Sequence, residues 1–312
     1  MTMTVGVDIS KDWLDVHRLP DAGTARFANT ETGHAALIGW LAAFDAPALV
    51  VFEATGAYHR ALRQALERAA RPFCKVNPRQ ARRFAQALGQ LAKTDRIDAG
   101  VLARMGQALA LEPQSPRGET QDDLNALTGA RQALVKDRAA LLARRATAAH
   151  ALVLGQMDRR RAAIEADIAE LDAAIAALVQ ADAALSARQA ILVSIPGVGE
   201  TTAATVLAEI PELGRIEGRQ AAALAGLAPI TRASGRWRGR AFIGGGRATL
   251  RRALYMPALV ATRPNPDLRA TYERLVAAGK PRKLALVAVM RKLIVLANAL
   301  LRKGRKWAPH AA

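Results

Sequence analysis

The sequence has 312 residues, which is enough for two domains and a connector and makes one compact domain the weaker interpretation. Hydrophobic residues reach 51% and aromatic residues only 4%, which disfavours a β-sandwich and favours alanine-rich helices with one small sheet. A formal charge of +18 accompanies one cysteine, Cys74, which excludes an intramolecular disulfide and a CxxC zinc site and fits a reducing cytoplasm. Because no signal-peptide pattern and no uncharged run of roughly 18 residues is present, we expect a soluble protein with no membrane partner.

Strand and helix patterns alternate in the first part of the chain. The runs TVGVDIS, WLDVHRLP and ARFAN predict three antiparallel strands, and a helix capped by Thr32 follows them. The continuous apolar run ALVVFEAT predicts a strand in the middle of the sheet. A helix near 58–70 and a strand near 72–76 complete the pattern. We therefore predict an α/β domain over residues 1–112.

The middle of the chain, 113–190, has the pattern of long helices. Apolar residues follow steps of three, four and seven there, which is a heptad seam: Ile164, Ile168, Leu171, Ile175, Leu178 and Leu185. An earlier leucine series can supply an antiparallel partner, with a break near Gly155. An intramolecular helical hairpin and a dimerising coiled coil fit this pattern equally well.

A third part, 191–312, begins with ILVSIPGVGETTAATVLAEI. Two helices joined by a Pro-Gly-Val-Gly turn, the second opened by Thr201, match the helix-hairpin-helix pattern. In that pattern glycines such as Gly197 and Gly199 let backbone N–H groups approach a DNA phosphate. A plain helical turn is the alternative interpretation.

Basic residues are concentrated in this third part. Residues 231–306 hold 19 Lys or Arg and two acids, whereas the rest of the chain holds 26 basic and 25 acidic residues. This asymmetry predicts a nucleic-acid-binding surface. The alternative interpretation is that the positive charge serves only to keep the protein soluble. The predicted contacts, besides the two hairpin glycines, are Arg232, Arg236, Arg238, Arg240, Gly245, Arg247 and Arg251. The Gly-Gly-Gly-Arg stretch lacks the Gly-Lys-Ser/Thr of a phosphate-binding loop for nucleotides.

Four carboxylates stand out against this basic background. Asp8 lies within an apolar strand, and Glu53 ends another that can lie beside it in the sheet. Asp95 and Asp98, three residues apart, share one face of a predicted helix. Taken singly, each has a plainer role: Asp8 in a turn, and Glu53 or Asp95 in ion pairs.

Carboxylates that converge repel one another, and divalent cations relieve that repulsion. Two ions roughly 3.5 to 4 Å apart stabilise the attacking and leaving oxygens of a phosphodiester displacement. Mg²⁺ or Mn²⁺ suits ligands that are all oxygen. We therefore predict that Asp8, Glu53, Asp95 and Asp98 are catalytic metal ligands.

At these motifs the chain resembles a known family. VGVDIS, VVFEATGAYHR and KTDRIDAGVLARM resemble the DEDD motifs of insertion-sequence transposases with a RuvC-like N-terminal domain, which are bridge-RNA-guided recombinases. The resemblance continues through IPGVGETTA and GLAPITRASGRWRGRAFIGGGRATLRRALY. In the linker only the heptad character of the sequence is similar, and no motif matches. It implies an α/β RNase H/RuvC-like domain, a coiled-coil linker and a mostly α C-terminal domain with a helix-hairpin-helix.

The resemblance also gives Ser234 a role that composition does not. Among its neighbouring arginines, a Ser-Gly is more often a turn that contacts DNA than a nucleophile. The family's serine occupies this position, which implies attack on target and donor DNA through a phosphoserine, with metal-assisted activation. The resemblance further implies a guide RNA encoded by the element, a homodimer that assembles into a tetramer, and a bacterial cytoplasmic, nucleoid-associated location.

Two rival functions use the same residues differently. A RuvC-like junction nuclease would use the acids with water as nucleophile, and a non-catalytic DNA-binding protein would need neither acids nor serine. Tyr255 is a poor candidate nucleophile because its neighbours Leu254 and Met256 predict helix core. The five histidines have no zinc-ligand spacing.

Overall fold

The structure is a computed structural model that describes residues 3–44, 47–54, 56, 58–90, 95–116, 118–235, 237–239 and 241–309, without the side chains of 95–97 and 238. Contacts divide it into two compact units, Met1–Arg117 and Gly118–Ala312. Each unit has its own hydrophobic core. The predicted three-part functional division stays a prediction.

The first unit contains a five-stranded sheet in the order β3-β2-β1-β4-β5. The first three strands are antiparallel, as predicted, and β4 and β5 run parallel to β1. This confirms the predicted α/β domain. The run ALVVFEAT, predicted to lie in the middle of the sheet, forms β4, an interior strand next to the central strand β1. The strands are β1 (Thr4–Ile9), β2 (Trp13–Leu19), β3 (Thr24–Ala28), β4 (Leu49–Glu53) and β5 (Phe73–Val76).

Helices cover both faces of this sheet. They are α1 (Glu31–Ala42), α2 (His59–Arg68), α3 (Pro78–Ala87) and α4 (Asp95–Ala108). Apolar residues of α1 and α2 share a core with the odd positions of β1, such as Val5 and Val7, while residues of α3 and α4 pack on Val51 from the other side. The predicted cap Thr32 is wrong: the hydroxyl of Thr30 accepts the N–H of Gly33 and caps α1.

The first unit depends on a close contact between α4 and β1. A Cβ at Gly6 would collide with the carbonyl oxygen of Ala99 and lie 2.5 Å from the amide nitrogen of Ala103. The hydroxyl of Thr4 donates to the carbonyl of Ala103 at 3.1 Å. Glycine in the middle of β1 therefore lets the helix backbone rest directly on the strand.

The second unit is mostly helical, as predicted. Its helices are α5 (Glu119–Arg145), α6 (Ala151–Ala181), α7 (Ala183–Val193), α8 (Glu200–Glu209), α9 (Gly218–Leu224), α10 (Ala248–Ala253), α11 (Tyr255–Ala261), α12 (Pro266–Ala277) and α13 (Arg282–Lys303). Two short ladders lie between α9 and α10. One joins β6 (Pro229–Ile230) to β9 (Phe242–Ile243), and the other joins β7 (Ala233–Ser234) to β8 (Trp237–Arg238).

The long helices α5 and α6 form an antiparallel hairpin within one chain. Arg131 pairs with Asp172 at 2.5 Å, and Arg145 pairs with Asp158 at 2.7 Å. The two arginines are 14 residues apart in α5 and their partners are 14 residues apart in α6 in the reverse order, so the helices are antiparallel. The predicted break near Gly155 is wrong, since that glycine lies inside α6. The chain turns at 146–150 instead. A dimerising coiled coil stays a prediction.

The core of the second unit is built around α13. Among the described residues, α13 is the one helix long and apolar enough to cross a membrane, and half of its apolar stretch is buried in this unit. Its buried Asn298 accepts the N–H of Gly214 and donates to the carbonyl of Ile216. Those contacts are typical of a helix that organises a protein core.

We predict that Gly6→Ala destabilises the first unit by about 3 kcal/mol, because the added methyl group forces α4 away from β1. Gly39→Ala is the matched control: Gly39 is exposed in α1 with no heavy atom within 4 Å of an added Cβ, so it should gain about 0.5 to 1 kcal/mol. Urea unfolding of both variants measures the difference. Equal stability of Gly6→Ala and the parent would contradict the packing argument.

Candidate active site

Charged residues form a row across the sheet of the first unit. Arg26 on β3 is registered with Asp15 on β2, and Asp15 is registered with Asp8 on β1. The parallel ladder of β1 and β4 pairs Val7 with Phe52, so the next residues along both strands are Asp8 and Glu53. Two of the four predicted ligands therefore occupy neighbouring positions on adjacent strands.

Both carboxylates belong to the face of the sheet that α4 covers. Thr4 and Gly6 contact α4, and alternation along the strand places Asp8 on their side. On β4, Val51 contacts Gly106 of the helix, and Glu53 follows two residues later. Both side chains are half-buried, so ligands from solvent can reach them.

The first turn of α4 lies at the same end of the sheet. Gly106 of α4 lies beside Thr4 of β1, and Ala99, earlier in α4, lies beside Gly6, later in β1. The helix therefore runs antiparallel to β1. The four residues from Thr4 to Asp8 span about 13 Å of strand, and the eight from Gly106 back to Asp98 span about 12 Å of helix. Asp98 is therefore level with Asp8.

The fourth predicted ligand, Asp95, begins α4, and its side chain lies outside the described residues. Among the side chains that the structure describes, no group of three or more His, Cys, Asp or Glu is close enough together to hold a metal ion. The structure brings Asp8, Glu53 and Asp98 to the same end of the sheet, but it does not place the three side chains close enough together to form such a group. Their role as metal ligands stays a prediction.

Asp15 is a neighbour of this site that the sequence did not single out. Its carboxylate accepts two hydrogen bonds from the guanidinium of Arg26, at 2.8 and 2.9 Å. Its polar position in the alternating run WLDVHRL is the signal that places it on the same face as Asp8. Arg26 therefore balances the charge of Asp15.

The segment after Glu53 leads to a buried imidazole. Burial lowers the pKa of His59, and the nearby cations Lys75 and Arg60 lower it further. Its ring lies 6.1 Å from that of Phe52, and its Nδ1 has no hydrogen-bond partner among the described residues. His59 thus packs behind β4 at the start of α2, on the face away from the carboxylates.

In the second unit, the two predicted phosphate-binding glycines differ. Gly197 has a φ of +100°, and a Cβ there would lie 2.7 Å from the amide nitrogen of Ala261. Packing against α11 therefore explains that glycine. Gly199 faces open space and is the N-cap of α8, which begins at Glu200 and not at the predicted Thr201. The helix-hairpin-helix assignment stays a prediction.

Backbone packing explains part of the glycine run at 244–246 that precedes α10. A Cβ at Gly246 would lie 2.6 Å from the Cα of Gly226, so two backbone segments cross there. Gly245 faces open space, and its carbonyl accepts a hydrogen bond from Arg251 at 2.8 Å. Gly245, one of the residues predicted to contact DNA, is thus exposed.

Arg247, another predicted DNA contact, is held by the protein itself. Its guanidinium pairs with the carboxylate of Glu212 at 2.7 Å and donates to the carbonyl of Glu209. These contacts join α10 to the end of α8. A phosphate would therefore have to compete with Glu212 for this arginine.

Ser234 lies in a β-hairpin, whose turn at Ser-Gly agrees with the plainer prediction for this segment but whose two short strands the sequence did not predict. It is exposed and is registered with Trp237 across β7 and β8. The turn begins at Gly235, whose φ of +56° suits a two-residue hairpin. Arg232 is placed with its guanidinium 4.7 Å from the ring centre of Phe242. Arg236, Arg240 and the side chain of Arg238 lie outside the described residues.

The predicted helix core around Tyr255 is wrong in part. Leu254 is buried, but Tyr255 and Met256 are 40% and 58% exposed. Helix α11 buries the opposite side, with Pro257 and Ala258. The apolar sequence of this helix thus leaves a hydrophobic stripe on the surface.

The chain is similar in sequence to several known proteins. A pilin gene-inverting protein of Moraxella lacunata is 29% identical over 316 residues, covering 97% of both chains, and a protein of that name from Moraxella bovis matches equally. The 43.6 kDa protein of insertion element IS110 from Streptomyces coelicolor is 35% identical over 116 residues, 36% of this chain and 29% of that protein. A structure of T. thermophilus RuvC with a Holliday junction covers 36% of this chain and 100% of RuvC at 13% identity, but its TM-score of 0.28 supports no argument.

Family models match both units. Residues 5–151 match the DEDD model of IS110 elements, described as a transposase. Residues 189–273 match a second model, described as a transposase of the IS116/IS110/IS902 family. Together these models cover about three quarters of the sequence, so the chain belongs to the IS110 family and is a DNA transposase or recombinase.

Proposed function

We propose that this transposase cuts and rejoins DNA at a metal-dependent, RuvC-like centre formed by Asp8, Glu53, Asp95 and Asp98, with Ser234 as the nucleophile. The observation that carries the metal centre is the register of the sheet. Asp8 and Glu53 are the next neighbours in a parallel ladder, on the face where α4 brings Asp98 level with them.

The residues present fit Mg²⁺ or Mn²⁺. Carboxylate oxygens are the ligands that these hard cations prefer, and neighbouring carboxylates become more stable when a cation lies between them. A bound ion would polarise the scissile phosphate and favour deprotonation of an attacking hydroxyl. Asp8 and Glu53 would hold the ion from the sheet, and Asp95 and Asp98 would hold it from the helix.

Ser234 supplies the covalent step in this proposal. Its Oγ forms a bond to the scissile phosphorus while one deoxyribose oxygen of the bond leaves and takes up a proton, which gives a phosphoserine. A hydroxyl of the exchanged strand then attacks the same phosphorus and releases the serine, so no external energy source is needed. The exposed position of Ser234 and the cation of Arg232 on its hairpin support this role.

A junction nuclease with water as nucleophile would use the same acids without Ser234. The match of residues 189–273 to a transposase model favours the recombinase, because the serine and its arginines lie within that matched segment. The Moraxella relatives are named for inverting a pilin gene, which supports exchange between defined DNA sites.

The proposal also includes the guide RNA and the tetramer that the family resemblance implies. The basic segment is suited to either nucleic acid, since phosphate contacts carry no sequence information by themselves. The hairpin of α5 and α6 has exposed apolar residues near its turn, Leu142, Leu152 and Val153, which are suited to contact another copy.

We predict that Mn²⁺ raises the unfolding temperature of the parent by about 5 °C when free Mn²⁺ is a hundredfold above its Kd. Asp8→Asn and Glu53→Gln should lose this shift and should also lose strand cleavage. Asp15→Asn is the matched control, because Arg26 already balances that carboxylate, and it should keep the shift. An unchanged shift in Asp8→Asn would refute the metal centre.

We predict that Ser234→Ala abolishes the covalent protein–DNA adduct on denaturing gels and lowers cleavage by at least about a thousandfold. The substrate is a plasmid that carries the coding region with its flanking DNA. Ser115→Ala, another exposed serine, is the control and should behave like the parent. Parent-like cleavage by Ser234→Ala without any adduct would instead establish the nuclease.

We predict that the protein, when expressed together with the DNA that flanks its coding region, copurifies with one RNA of defined length. Sequencing of that RNA should place it in the noncoding flank. Heterogeneous RNA that 1 M salt removes completely would show a nonspecific basic surface and would contradict guidance.

A further inference from the structure

The hairpin that carries Ser234 also carries an exposed tryptophan. Trp237 is 60% exposed, although tryptophan is among the side chains that gain most from burial. It is registered directly opposite Ser234. Opposed residues of an antiparallel pair project to the same face, with Cβ atoms about 5 Å apart. Whatever covers the indole therefore also lies beside the serine hydroxyl.

The indole ring of Trp237 packs against a defined part of this face. A Cβ at Gly239 would lie 2.5 Å from Cη2 and 3.0 Å from Cζ2 of Trp237, so the ring lies over the glycine. The N–H of Gly239 donates to the carbonyl of Arg232 at 2.8 Å, which extends the ladder by one pair. Alternation then puts Arg232, Ser234 and Trp237 on one face of the hairpin.

The charge around this face points to a nucleic acid. Residues 231–243 contain four arginines and no acid. Arginines interleaved with exposed aromatic rings are typical of surfaces that hold a phosphate backbone and stack on its bases. An apolar protein partner would explain the indole but not this concentration of positive charge.

We propose that Trp237 stacks on an unpaired DNA base and so positions the adjoining phosphate for attack by Ser234. The inference rests on the proposed nucleophile, to which it adds a positioning residue and a substrate state. A tryptophan face needs an exposed base face, which a stacked duplex does not offer. The DNA is therefore unpaired next to the bond that is cut. Arg232, on the same face of the hairpin, would contact the phosphate backbone of that DNA strand.

Tryptophan fluorescence of the full chain tests this inference without requiring cleavage. An oligomer of dT should quench the parent, because a stacked base quenches an indole. Trp237→Leu should lose this part of the quenching and bind about tenfold more weakly, as expected for the loss of one stacked base. Trp237→Phe retains an aromatic face and should bind within about threefold of the parent.

Two controls separate stacking from charge and from folding. An abasic oligomer of equal length has the same phosphates and should bind without quenching Trp237. Gly239→Ala keeps the tryptophan but moves its ring, so it should weaken both quenching and binding. Trp13→Leu removes another exposed tryptophan, in the first unit, and should leave dT affinity unchanged.

The outcomes distinguish this inference from the proposed nucleophile. Ser234→Ala should be quenched like the parent, and loss of its adduct concerns the nucleophile alone. Parent-like affinity of Trp237→Leu for dT, or equal quenching by the abasic oligomer, overturns the stacking role. Quenching by oligo-rU but not by dT overturns the assignment to DNA.

Discussion

The direct contact between α4 and β1 is the constraint on which the acidic site depends. Because Gly6 has no side chain, the helix backbone reaches the strand and is fixed at one height along it. That height determines which turn of α4 lies beside Asp8. A larger residue at position 6 would push the helix away from the strand and so move Asp98 away from the sheet carboxylates.

Sequence reasoning placed Asp8 and Glu53 on adjacent strands because those strands have strong apolar patterns. The apolar runs that contain Asp8 and Glu53 fix two parallel strands, and adjacency then follows from register. The height of α4 was not predictable, since it depends on a contact between Gly6 and Ala99, about ninety positions apart. Asp15 was missed because its pairing with Arg26 requires the antiparallel register of β2 and β3.

The second unit shows where patterns fail. Strands of two residues, such as those around Ser234, have no periodicity to detect, and only the turn glycine Gly235 marks the hairpin. The heptad seam predicted long helices but could not choose between partners within and between chains. Ion pairs such as Arg131–Asp172 establish the intramolecular hairpin, and a seam already used there leaves less apolar surface for a second copy.

The two halves of the proposed chemistry rest on scaffolds of very different size. The carboxylates project from a five-stranded sheet packed against α4, whereas Ser234 projects from a hairpin with two registered residue pairs and one further hydrogen bond, from Gly239 to Arg232. A two-stranded hairpin of this size is marginally stable by itself. In the proposed mechanism, DNA that stacks on Trp237 and contacts Arg232 would add contacts to both strands of the hairpin. Substrate binding would thus help to hold Ser234 in position for attack in this mechanism.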